Sequence, residues 1–175
     1  MFKRGQSNRG QRRDGQVAAS EAGWNTLTNA KQKAYRYLAL RPRSEKEVAK
    51  KLKEKGFSTE IIQETLEKLS DLKYINDNSF ASQWARHLAV NKLWGNRKII
   101  ADLQEKGIGK DLIAAAMDAA RQEISEEESI ARLIRKKTAG KRSGPIDIKE
   151  KKRIFQGLLG RGFPPGLILQ KLADY

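Results

Sequence analysis

Val48-x3-Leu52-x3-Gly56-Phe57-x3-Ile61-Ile62-x3-Leu66 decides the fold of this chain, because the same phrase is written twice more. It recurs as Ile99-x3-Leu103-x3-Gly107-Ile108-x3-Leu112-Ile113-x3-Met117, then as Ile154-x3-Leu158-x3-Gly162-Phe163-x3-Leu167-Ile168-x3-Leu172. The anchor glycines stand 51 residues apart (107 − 56) and then 55 apart (162 − 107). Apolar residues four apart share one face of a helix. Glycine closes a helix because it enters the left-handed conformation without steric penalty. Each phrase therefore reads as helix, glycine stop, helix. The anchors of the pattern are Leu52, Gly56, Phe57, Phe80, Leu103, Gly107, Ile108, Leu158, Gly162 and Phe163. An array of such units buries its apolar faces between neighbours and presents an extended binding surface rather than a pocket.

Working outward, a further helix precedes each phrase. Thr28 is expected to cap a helix bearing Ala34, Tyr37 and Leu38 that ends at Arg41-Pro42. Ser44 and Glu47 form a capping box. Asp77 opens a helix carrying Phe80, Trp84 and Leu88 at four-residue spacing, which Gly95 is expected to stop. Ser125 and Glu128 are spaced as a second capping box, Asp147 and Glu150 begin another helix, and Pro165 opens the last. No stretch sustains a period of two, so no sheet is expected. The expected fold is all-α, with three tandem three-helix repeats over 27–77, 78–124 and 125–175. Residues 1–26, rich in Gly, Gln, Ser, Asn and Arg, are expected to be a disordered basic arm.

The chain has 175 residues, no Cys, 38% apolar residues and a formal net charge of +15. The lack of Cys excludes a disulfide framework and a thiolate metal site. No apolar run approaches membrane-spanning length and no secretory signal is written, so a cytoplasmic protein is expected. Charge concentrates at the ends: net +5 over 1–33 and +7 over 127–175, against +2 over 34–77 and +1 over 78–126. Such a surplus favours a polyanion or an acidic protein surface. The densest cluster is Lys149, Lys151, Lys152 and Arg153, with Lys141 and Arg142 in the preceding loop. A second candidate is the turn Trp94-Gly95-Asn96-Arg97-Lys98. Two cations at a helix start oppose the helix dipole, so local stability does not explain them. Exposed N–H groups beside Arg97 and Lys98 would suit a phosphate or carboxylate, and Trp94 could stack on a partner.

Catalysis is not indicated. His87 is the single histidine and no nucleophile motif accompanies it. No G-x4-G-K-[ST] phosphate loop occurs. Glu126, Glu127 and Glu128 are consecutive and diverge around a helix, which suits dipole complementation rather than a metal cage. No cofactor or metal is expected.

The chain resembles the RecX family, bacterial regulators of the RecA recombinase, over roughly residues 30–175. Three stretches carry the resemblance. They are Gly56-Phe57, then Tyr74-Ile75-Asn76-Asp77-x2-Phe80-Ala81, then Gly95-x-Arg97-x-Ile99-x3-Leu103-x2-Lys106-Gly107-Ile108. The chain departs from the family pattern at Asn76, where acid is usual, and at Leu93 and Asn96, which flank Trp94-Gly95. The loss of a glycine at Leu93 bears on that turn's flexibility. The resemblance implies an elongated, curved array lodged in the groove of a RecA–DNA filament. It also implies suppression of ATP hydrolysis, strand exchange and coprotease activity, in DNA repair and control of the SOS response. The expected partner is the RecA filament, with single- or double-stranded DNA contact secondary, no membrane, and a monomeric regulator. The competing reading is a stand-alone nucleic-acid-binding helical protein. Its weakness is that stretches such as Asp102-Leu103-Gln104-Glu105 mix acid into helices that would have to enter a groove.

Overall fold

All three phrase glycines are left-handed, with φ of 83° at Gly56, 86° at Gly107 and 88° at Gly162. After each, the next residue donates its N–H to the carbonyl of the core leucine five positions back: Phe57 to Leu52 (3.3 Å), Ile108 to Leu103 (3.1 Å) and Phe163 to Leu158 (3.4 Å). This is the closing bond of a Schellman motif, and the apolar residue after the glycine folds back onto the helix it ends. One local mechanism thus makes the same corner three times.

The computed structural model describes residues 26–139 and 146–175. The basic arm, but for its last residue, and Lys141 and Arg142 lie outside the described residues. Nine α-helices and one π turn occur among those described, and no strand. The helices are α1 (Leu27–Leu40), α2 (Glu45–Lys53), α3 (Thr59–Asp71), α4 (Asp77–Arg86), α5 (Asn96–Glu105), α6 (Lys110–Glu123), α7 (Glu126–Thr138), α8 (Ile148–Leu159) and α9 (Pro165–Ala173). The π turn, His87–Asn91, follows α4 directly. The chain divides into two compact units, one ending at Ile75 and the other starting at Asn76.

In the first unit α1, α2 and α3 pack on one another around Ala30, Ala34, Val48, Leu52, Phe57, Leu66 and Leu69. The cap of α1 is Thr26, whose hydroxyl accepts from Asn29 N–H at 3.3 Å, not Thr28. Thr28 falls within the first turn, where its backbone is already helical. The capping box is complete, with Ser44 Oγ accepting from Glu47 N–H and Glu47 Oε2 accepting from Ser44 N–H, each at 3.3 Å. Arg41 reinforces it by gripping both Glu47 oxygens at 2.9 and 3.2 Å. Ile75 is buried, while Tyr74 is 57% exposed and meets Tyr35 edge-on with ring centroids 4.9 Å apart.

In the second unit, α4, the π turn, α5 and α6 enclose Phe80, Leu88, Ile99, Leu103, Ile108, Ile113 and Met117. Helices α7 to α9 enclose Ile130, Ile134, Ile154, Leu158, Phe163, Ile168 and Leu172. Of Asn76 and Asp77, Asn76 caps α4, its Oδ1 accepting from Ser79 N–H at 2.9 Å. Trp84 stacks on Phe80 and donates Nε1–H to Asp102 Oδ2 at 2.7 Å. Ser125 caps α7 at 3.1 Å, but the reciprocal half of its box is not made. The Glu128 carboxylate turns to Arg132 at 2.8 Å and Arg135 at 3.4 Å instead. Asp147 accepts from Glu150 N–H at 2.7 Å, and Pro165 sits in the first turn of α9.

Gly95 does not stop α4. That helix loosens into the π turn, where Lys92 N–H reaches back to His87 O at 3.2 Å, and the chain is reversed by Leu93, left-handed at φ 51°. A side chain in that conformation costs roughly 1–2 kcal/mol. Leu93 offsets it by packing against both apolar clusters of the second unit. The departure from a turn glycine is therefore an apolar staple. Gly95 instead opens α5 as its N-cap.

Candidate functional site and family relationship

The turn from Lys92 to Lys98 forms the junction between the last two repeats. Gly95 N–H donates to Arg161 O at 2.9 Å, and Arg161 Nη1 donates in return to Lys92 O at 2.7 Å. A Cβ on Gly95 would stand 2.4 Å from the carbonyl carbon of Gly162 and 2.5 Å from Phe163 N. A Cβ on Gly162 would stand 2.6 Å from both Cβ and N of Lys98. Two backbone corners thus touch with no room for a side chain on either.

The expected open anion site at the start of α5 is filled from within. Asn96 N–H donates to Glu126 Oε1 at 2.8 Å, so the helix N-terminus already holds a carboxylate supplied by α7. Arg121 braces the same turn from α6. It donates to Asn96 Oδ1 at 2.6 Å, Trp94 O at 2.7 Å and Ile124 O at 3.3 Å. Burial lowers the pKa of this half-buried guanidinium, and the Glu126 and Glu127 carboxylates oppose that fall. Trp94 is half-buried, with Lys98 Nζ 4.3 Å above its ring and 3.3 Å from Gly160 O. Arg97 alone of the turn's two cations is exposed.

The second candidate keeps its surface character. Lys149, Lys152 and Arg153 are exposed on α8 and Lys151 is half-buried beside them. The only acid within the run, Glu150, lies 3.7 Å from Arg153. Cations this early in a helix gain nothing from its dipole. By contrast Arg135, Lys136 and Lys137 occupy the last turn of α7, where the dipole favours them. The structure brings Trp94 and Lys98 together at the junction and places the α8 cations on another helix.

Sequence reasoning missed Arg121, Arg161 and Glu126 as junction residues. A cation in the last turn of the alanine-rich α6, far from Lys110 at its start, was the available signal for Arg121. His87 sits near Trp84, its Nδ1 3.1 Å from Asn91 Nδ2. Among the described residues no group of three or more His, Cys, Asp or Glu is disposed to hold a metal ion, and no helix is long and apolar enough to cross a membrane.

Family models match all three repeats. They are the first three-helix domain of RecX over residues 30–69, the second over 76–117 and the third over 125–172. The chain belongs to the RecX family. A Mycobacterium sp. (strain KMS) protein named regulatory protein RecX is 30% identical over 139 residues, 77% of this chain and 74% of that one. The protein of the same name from Geobacillus kaustophilus is 33% identical over 148 residues, and there the match covers 85% of this chain but only 54% of the relative. The crystal structure of RecX from Lactobacillus salivarius superposes with a TM-score of 0.69 at 26% identity, covering 85% of this chain and 95% of that one. A tandem three-helix plan is thus shared with solved RecX structures.

Proposed function

We propose that this chain is a non-catalytic cytoplasmic regulator of RecA. It binds in the groove of the RecA–DNA filament and suppresses ATP hydrolysis, strand exchange and coprotease activity. The observation that carries the reading is the cationic face of α8, attached to a RecX-family array. Exposed Lys149 and Lys152 gain nothing from the helix dipole there, and Glu150 offsets only Arg153. The second and third repeats are locked by the Gly95–Gly162 approach, so the α8 face is presented from a stiff module. With each repeat a separate weak contact, an array spanning several filament subunits gains from effective concentration. Occupying the groove would exclude a second DNA and hinder the subunit motions tied to nucleotide turnover. Trp94, Arg97 and Lys98 retain a secondary place, Arg97 as the outward residue of that turn. Lys141 and Arg142 extend the α8 cluster in sequence.

Binding to recombinase-coated single strands should exceed binding to bare duplex. The substitutions Lys151→Gln, Lys152→Gln and Arg153→Gln together should weaken filament binding and flatten its dependence on salt. If these cations meet phosphates, the log–log slope should shrink by about 2–3, since each contact releases close to one counterion. The measurement is binding anisotropy across a salt series, with circular dichroism confirming the fold. A slope unchanged by the triple substitution would place the charged contact elsewhere on the chain. Tight, sequence-selective binding to bare duplex would favour the nucleic-acid-binding reading instead.

A further inference from the structure

Helix α8 is one turn longer at its start than its counterparts. The caps of α2 and α5 lie four residues before the first anchor (Ser44 to Val48, Gly95 to Ile99), whereas Asp147 lies seven before Ile154. The added turn carries Ile148, which is 87% exposed. Ile148, Lys151, Lys152 and Phe155 follow one another at helical spacing and form one wall of a groove of about 430 Å³. Leu169 and Leu172 of α9 form the other. Leu169 is 60% exposed, and its equivalents in the earlier phrases are Ala114 and Gln63 (169 − 55; 114 − 51). Exposed Ile148 and Leu169, which have no counterpart in the earlier repeats, thus widen the rim of this groove. The core of the repeat does not require Ile148 or Leu169, because Ile154, Leu158, Ile168, Phe163 and Leu172 are already buried beneath.

We infer that the α8–α9 groove docks an amphipathic helix of a protein partner, one that presents aliphatic anchors flanked by carboxylates. An apolar trough between two helices accepts residues spaced i, i+3, i+4 and i+7 on a third. Lys151 and Lys152 lie in the groove itself, and exposed Lys149 and Arg153 extend the positive rim. Of the nearby acids, Glu150 lies 3.7 Å from Arg153, Asp174 lies 3.9 Å from Lys171, and Asp147 caps α8. A nucleic-acid backbone would use the cations but has no use for Ile148 and Leu169. An aliphatic helix with acidic flanks uses both. The inference deepens the proposed function by naming the chemistry of the partner segment that α8 meets.

The test uses the full chain and a fluorescein-labelled synthetic helix bearing Leu at i, i+3, i+4 and i+7 with Glu on either side. Controls are a scrambled peptide of the same composition and a duplex oligonucleotide. Saturable anisotropy is expected with the amphipathic peptide and at least about tenfold weaker binding with the scrambled one, which is what separated anchors would lose. Ile148→Ser with Leu169→Ser, both outside the core, should weaken the amphipathic peptide about tenfold or more. The Lys151→Gln and Lys152→Gln pair should weaken it mainly at low salt.

Equal binding of the two peptides would overturn the inference without needing any variant to fold. So would a serine pair that binds as tightly as the parent. A dimer in sedimentation that the serine pair dissociates would assign the groove to a second copy. Duplex binding indifferent to the serine pair, with no peptide binding, would assign the face to nucleic acid. No recombinase enters the assay, so peptide binding without any effect on filaments would refute the proposed function and leave the groove standing.

Discussion

Gly95→Ser is expected to destabilise the second unit by about 1–3 kcal/mol or more, although serine is the better helix cap. Serine caps the equivalent helix of the first repeat, where Ser44 occupies the place of Gly95 (95 − 51). If capping governed position 95, the substitution would be neutral or slightly stabilising. The close approach gives the opposite sign. A new Cβ would meet three backbone atoms of Gly162 and Phe163 at 2.4 to 2.5 Å, and backbone cannot rotate out of the way as a side chain can. The α8–α9 corner would have to withdraw, breaking the Gly95–Arg161 hydrogen bond and loosening the packing of Leu93. Gly109→Ser is the matched control. Gly109 caps α6 without a side-chain bond, and a Cβ there meets nothing within 4 Å. That change should be neutral or stabilising by a few tenths of a kcal/mol. Thermal unfolding of the two variants beside the parent protein measures the contrast. Similar midpoints for both would dismiss the backbone contact.

Leu103→Ala should cost about 2–5 kcal/mol, the usual range for deleting a buried leucine side chain. Leu103 is fully buried, as are Leu52 and Leu158 at the same place in the other phrases or within 1% of it. Its carbonyl also receives the N–H of Ile108 that closes the corner. Loss of the side chain leaves a cavity among Phe80, Ile99 and Met117 and slackens the seat of that corner. Urea unfolding monitored by circular dichroism gives the change in midpoint. A shift no larger than that of a surface substitution, roughly half a kcal/mol, would contradict the repeat reading.

The three corners were legible because each is local. Leucine, glycine and an apolar residue at fixed spacing contain every group the motif needs. Capping was legible to within two residues. Thr26 acts where Thr28 was expected, and of the expected pair Asn76 and Asp77 it is Asn76 that caps, since neighbouring Thr or Asx residues compete for one cap and spacing does not choose between them. The Ser125–Glu128 box failed by half because Arg132 and Arg135, on the following turns, offer Glu128 a charged partner. The repeat junction was not legible in the same way. Nothing within residues 92–98 says that Arg161, Glu126 and Arg121 converge there. The clue lay between repeats: a glycine stands where the first repeat has a capping serine, and its helix start is satisfied by a carboxylate from the next repeat. The α8–α9 groove was equally hidden, because periodicity marks what a helix buries and says little about an extra turn that stays exposed.

The proposed function is tested most directly by titrating the full chain into RecA filaments assembled on single-stranded DNA with ATP. Hydrolysis and strand exchange are followed in parallel. Both should fall at protein concentrations below that of the recombinase, with the triple glutamine variant of α8 needing more protein for the same effect. Filaments that hydrolyse ATP and exchange strands at full rate under saturating protein would contradict the proposal.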